Sequence, residues 1–276
     1  MILSGLPITD DHIHIDPLNG KGIEAAKEFQ RAGGTHMFLV TKPSWSYGLS
    51  PVSGEDFREV FETTLKTAKK IRETGIVVFT IMGVHPAEIN RLCERMTLKD
   101  AVRVMKGGLS VASEYVTEGL SVALKSGRPH YEVDETIWAA SNDILNHALI
   151  LSADCDCALQ IHAETGPCND VAVMAGKAGM LPERVVKHFS IPETPLTPSM
   201  IAKDESIPEM AGAGRIFTME SDYMDDNTRP GAVIGPKSVP RFTRRFLTKG
   251  VITEESAYRI HKESPSKIYG VEIELL

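Results

Sequence analysis

Cysteine is scarce. Four residues in 276, Cys93, Cys155, Cys157 and Cys168, make no C-x-x-C pair and no disulfide-rich pattern, which excludes a small scaffold stapled by disulfides. Long apolar runs are missing too. No stretch is apolar for the roughly 20 residues that a bilayer-spanning helix needs. The opening MILSGLPITDD has neither the basic start nor the apolar core of a signal peptide. The cytoplasm is the expected compartment. Positive charge is in deficit, with 30 Lys and Arg against 37 Asp and Glu, a formal net charge of −7. That balance disfavours a tight, sequence-blind grip on nucleic acid but leaves room for a local basic patch. Repeats, low-complexity segments and linker-like stretches are absent as well. Residues 1–276 therefore read as one domain, with 42% hydrophobic and 24% charged residues, an ordinary balance for a chain with a sizeable core.

What the chain has is alternation. Short apolar or β-branched runs occur at 8–13, 35–40, 76–84, 120–124, 158–161, 184–187 and 216–219, with a weaker one at 199–202. Between them lie segments such as GIEAAKEFQRAG, EDFREVFETTLKTAKKIRETG and DETIWAASNDILNHALILSADC, with apolar residues at three- and four-residue steps. Strands alternating with amphipathic helices indicate parallel βαβ units. Eight such units, in a chain near the about 250 residues typical of the architecture, predict a (β/α)8 TIM barrel. A doubly wound open sheet is the alternative.

Ligand-type residues then recur at strand ends. His12 and His14 in ITDDHIHID stand two apart, so both face one side of the first strand, where two imidazoles can share a metal. An isolated H-x-H is weak, since histidines often sit hydrogen-bonded in cores. It gains weight from ALQIH, ending in His162, RVVKH, ending in His188, and IFTMESD, ending in Asp222. Steps of 37, 26 and 34 residues separate Lys125, His162, His188 and Asp222, each about one βα unit. Barrel active sites are built at strand C-termini. Lys125, after LSVAL, is the odd member. It is either a substrate-binding or ion-paired lysine, or one carboxylated on its amine into an anionic bridge between metals; physics alone leaves both open.

These motifs resemble those of the TatD-related metal-dependent hydrolases of the amidohydrolase superfamily, in the family's order over almost the full length. HIHID resembles the strand-one H-x-H-x-D, MGVHPAEI the G-x-H-P segment, and IHAETG and KHFS the strand-five and strand-six histidines. MESD resembles the strand-eight E-T-D, and ITEESAYRIHKESPSKIYG the closing helices. One departure stands out: TatD nucleases carry a glutamate in strand four, within G-E-I-G-L-D, where this chain has Lys125. Phosphotriesterase-like members carry a carboxylated lysine there, which tips Lys125 toward carboxylation and away from the nuclease pattern.

The resemblance implies two divalent metals held by His12, His14, Lys125, His162, His188 and Asp222. These nitrogen and oxygen donors suit zinc first, and also manganese, iron, cobalt or nickel. It also implies a metal-activated hydroxide, with Asp222 as proton acceptor and a carbamate on Lys125. His85 is expected to serve catalysis at the mouth. Lys42, Trp45, Arg128, His130 and Arg229 are expected on loops that meet substrate, and Glu220 and Asp16 behind the ligands, Asp16 alternatively capping the turn at Pro17. His36, His147 and His261 read as structural, Cys155 and Cys157 as ordinary thiols, and the basic stretch 241–250 as a solvated helix face. The leading function is hydrolysis of a small phosphoester, lactone or cyclic amide. A TatD-type deoxyribonuclease and a non-catalytic ligand-binding barrel are the alternatives; oligomeric state stays open.

Overall fold

The structure, a computed structural model, describes residues 5–228 and 233–275. Nine parallel strands form one sheet in the order β8-β7-β6-β5-β4-β3-β2-β1-β9. They are β1 (Thr9–His14), β2 (His36–Val40), β3 (Val77–Gly83), β4 (Ala123–Gly127), β5 (Ala158–His162), β6 (Val185–Lys187), β7 (Thr197–Ile201), β8 (Thr218–Glu220) and β9 (Tyr223–Met224). β8 and β9 are one strand interrupted at Ser221 and Asp222. β8 pairs with β7 and β9 with β1, so the sheet curls until its edges meet. That closure is the expected barrel; the open doubly wound sheet is not what forms.

The helices are α1 (Ile23–Arg31), α2 (Arg58–Arg72), α3 (Glu88–Cys93), α4 (Leu98–Thr117), α5 (Glu135–Asp154), α6 (Asn169–Lys177), α7 (Ile207–Gly212), α8 (Ser238–Thr248), α9 (Glu254–Tyr258) and α10 (Ser264–Tyr269). α4 and α5 each run 20 residues, and capping starts both: the Thr97 side chain accepts from Asp100 N–H, and that of Asp134 from Thr136 and Ile137 N–H. Each main helix turns one apolar stripe onto the strands, as Val60, Phe61, Ala68 and Ile71 do from α2. No helix among the described residues is long and apolar enough to cross a membrane. Inside the barrel Phe38, Val40, Ile81, Ala123, Ala158 and Val186 pack together. Tyr269 of α10 closes the floor, its ring 4.3 Å from that of Phe38.

One strand, β4, differs from the sequence reading at both ends. β4 runs on through Lys125, Ser126 and Gly127, which pair with Gln160, Ile161 and His162; the polar side chains had marked the strand's end, but backbone pairing does not depend on them. Leu120, expected inside the strand, lies in the turn after α4, 43% exposed. Gly127 is obligatory here: its φ is 150°, and a Cβ would meet the His162 carbonyl oxygen at 1.9 Å.

The C-terminal helices are tied to β1 through His261, which is fully buried. Its Nε2 pairs with Thr243 Oγ1 at 2.8 Å and its Nδ1 with the Thr9 backbone at 3.2 Å. Burial pushes its pKa down to about 4. An unfolded histidine takes a proton below about 6.5 and the folded one resists, so this residue's contribution is lost as pH falls from about 6.5 to about 4. Urea unfolding of the wild type should lose up to about 3 kcal/mol over that interval that His261→Gln does not lose. Parallel pH slopes for the two proteins would contradict the assignment.

Candidate metal centre

β1 delivers two imidazoles to the mouth. Its pairing with β2 slips by one residue between Asp10 and Ile13, a β-bulge, and Asp11 and His12 both reach Gln160 on β5. His12 Nδ1 lies 2.7 Å from Gln160 Oε1, and His14 Nδ1 lies 3.0 Å from the Val40 carbonyl oxygen. Each Nδ1 therefore donates, and each Nε2 presents a lone pair. Those two Nε2 atoms are 3.0 Å apart. Burial holds both rings neutral: it takes the His14 pKa down to about 3 and His12 well below its ordinary value, with Lys125 adding to both shifts. Two lone pairs at that distance repel unless a cation lies between them, and the edge of a tetrahedral zinc site is about 3.3 Å.

A second pair faces the first. His162, the last residue of β5, sets Nδ1 2.7 Å from Nε2 of His188, just past β6. The His188 ring stacks on His12 with centroids 4.1 Å apart and planes 9° from parallel. Behind it, Nδ1 lies 3.5 Å from Glu220 Oε1, which also accepts from the Phe189 N–H at 2.7 Å.

Lys125 and Asp222 stand at the junction of the pairs. Lys125 Nζ is 3.3 Å from His12 Nε2, and Asp222 Oδ1 is 3.8 Å from it. Asp222 sits in the break between β8 and β9 with a left-handed φ of 44°, and its N–H donates to the His12 carbonyl at 3.0 Å. A non-glycine residue held there stores strain, as functional positions often do. Burial moves the two pKa values toward each other: Lys125 falls to about 7 and Asp222 rises to about 7. His12, His188 and Asp222 offer ligand atoms that all lie within 4.8 Å of one another. Neutral, converging imidazoles, with a carboxylate alongside, fit divalent cations.

Above this floor opens a cavity of about 410 Å³, with an apolar wall that includes Pro43, Trp45, Phe189, Met224 and Val233. His85 and His130 line it as well. His130 Nδ1 is 2.5 Å from His162 Nε2, while the His85 ring is 5.0 Å from that of His162 and 6.2 Å from Trp45.

Three expected site residues lie elsewhere. Lys42 is buried and donates to Asp16 Oδ2 at 2.6 Å and the Asp225 carbonyl at 2.9 Å, which leaves it off the cavity. Asp16 accepts that bond and the N–H groups of Leu18 and Asn19; it caps the turn and holds no histidine. Arg128 spends all five donors on Glu164, Asp170 and Asn142, and its guanidinium lies 4.6 Å over Trp138. It clamps the loop after β4 to α6 rather than a substrate. Arg229 lies outside the described residues. His36, His147 and His261 stand apart from the cavity, as expected.

The sequence reading missed Gln160, Asp11, Tyr269 and Asp225. Gln160 was findable, standing two before His162 and so on the same face. Asp225 was not. Its carboxylate accepts from the N–H groups of Asp16, Lys21 and Gly22 and from the Tyr223 hydroxyl, latching the first βα loop to β9 across about 200 residues that no local pattern spans.

The profile of the family described as TatD-related DNase matches residues 9–270. The chain belongs to that family. An uncharacterised protein of Methanocaldococcus jannaschii is 38% identical over 286 residues, covering 99% of each chain. Among solved structures, a lactonase of Listeria monocytogenes superposes with a TM-score of 0.61 at 13% identity, covering 97% of this chain and 95% of its own. An organophosphorus hydrolase of Deinococcus radiodurans does so with 0.58 at 13% identity, covering 96% and 92%. At such identities the structures speak for the shared barrel. TatD-family membership makes the protein a hydrolase. Within that TatD-related frame, the strand-four position holds a buried lysine where the nuclease pattern has a glutamate.

Arg128→Met should lower unfolding free energy by about 1–3 kcal/mol, since two partly exposed carboxylates lose a shared cation. A urea midpoint equal to wild type would show that the clamp contributes nothing.

Proposed function

We propose that this chain is a binuclear metal-dependent hydrolase of a small phosphoester, lactone or cyclic amide, carried on one barrel domain and working in the cytoplasm. The observation behind this is the convergence of two imidazole pairs on either side of Lys125 and Asp222, with the Nε2 lone pairs of His12 and His14 facing each other. His12 and His14 would hold one ion and His162 and His188 the other, with Asp222 as a further ligand. Zinc fits first; manganese, iron, cobalt or nickel would bind the same donors. When bound, such ions supply Lewis acidity and draw the pKa of water toward neutrality.

The chain's own groups do the rest. Burial lowers the pKa of Lys125, which favours its neutral amine. A neutral amine can add carbon dioxide, forming an N–C bond and releasing one N–H proton to solvent, and the resulting carbamate would offer anionic oxygens to the metals. Asp222 reaches into the cavity, where a carboxyl with a pKa near 7 can accept the proton of attacking water and return it to the leaving group. Glu220, 3.5 Å behind His188 Nδ1, would orient that ring when its Nε2 binds a metal. His130 and His85 stand beside His162, positioned to hydrogen-bond a leaving group. The apolar wall excludes water from the reacting bond and limits the substrate to a small molecule.

The description of the family favours a second reading, cleavage of DNA. Against it stand the −7 charge, Lys125, and the withdrawal of Lys42 and Arg128 into ion pairs. Raising salt from 50 to 200 mM separates the two. Hydrolysis of a neutral ester or lactone should change by less than about twofold, whereas a nuclease that neutralises several phosphates would lose orders of magnitude in affinity. For the mechanism, Asp222→Asn should cut kcat by about 10²–10⁴ with little change in melting temperature. An unchanged kcat would remove Asp222 from its role.

A further inference from the structure

Beneath the histidine pairs lies a polar group of buried residues that the proposed reaction does not use: Asp11, Gln160 and Tyr269. Its hydrogen bonds can be read in only one direction. The backbone carbonyl of Asp11 is an acceptor and nothing else, so the Gln160 side-chain atom 2.8 Å from it is the amide nitrogen. That nitrogen also donates to the Tyr269 hydroxyl at 2.7 Å. The hydroxyl in turn donates to Asp11 Oδ2 at 3.1 Å. With both amide hydrogens committed, Gln160 Oε1 is turned toward His12 Nδ1 at 2.7 Å and can only accept. His12 must then carry its proton on Nδ1. The other tautomer would set two lone pairs against each other across that contact and aim an N–H at His14 and Lys125.

We infer that Gln160, held by Tyr269 and Asp11, is a positioning residue that fixes the tautomer of His12 and keeps its Nε2 lone pair toward the metal site. The functional weight of this rests on the metal-dependent reading above. Tyr269 is the last residue of α10, so the C-terminal helix is connected to the metal-facing nitrogen through two hydrogen bonds.

The test uses the full chain, metal-free and then titrated with zinc against a chromophoric chelator. Long-range proton–nitrogen NMR of labelled imidazoles should show His12 protonated on Nδ1 in the wild type. Gln160→Met fills the same space without the acceptor. In it, the proton should redistribute toward Nε2, and zinc affinity should fall about 10–100-fold. Tyr269→Phe removes a single hydroxyl and should move both readouts the same way, with affinity down roughly threefold. It carries the test if Gln160→Met does not fold. An unmoved tautomer or an unmoved affinity in the folded variant overturns the inference. Wild-type protein that bound no zinc would sink the hydrolase reading instead, while the metal-free tautomer would still judge the role of Gln160.

Discussion

The mouth of this barrel depends on neutral imidazoles whose nitrogens converge. His12 and His14 approach to 3.0 Å, and His162 and His188 to 2.7 Å. Burial keeps all four rings from taking up a proton. Neutral and converging, they are good partners for a cation. The strand ends point at one place, β1 is bulged to turn Asp11 and His12 inward together, and β8 is broken so that Asp222 arrives from the side. The same burial lowers the pKa of Lys125 and raises that of Asp222.

Much of this was legible in the sequence because it follows local rules. The strands appear as apolar runs within a few residues of their positions, since each is buried by helices outside and side chains inside. His162 and His188 announce themselves by ending or following such runs, and His12 with His14 by the two-residue period of a strand. Polar Lys125 and Ser126 hid the true extent of β4, because pairing is a property of the backbone.

The unreadable part was long-range. Arg128 and Lys42 looked available, as surface-loop cations do, until Glu164, Asp170, Asp16 and Asp225 came round to meet them. A buried guanidinium or ammonium needs such partners, but nothing in the neighbouring sequence says which acids will supply them. Asp225 escaped notice for the same reason. Tyr269, more than 250 residues from Asp11, lies inside the barrel only because the last helix folds back under its floor.

The central claim is that the two histidine pairs hold two metal ions. Elemental analysis of freshly purified, unchelated protein measures this most directly. About two equivalents of divalent metal per chain are expected. One equivalent or none, not raised by adding metal together with bicarbonate, would mean that Lys125 carries no carbamate and the site is not binuclear.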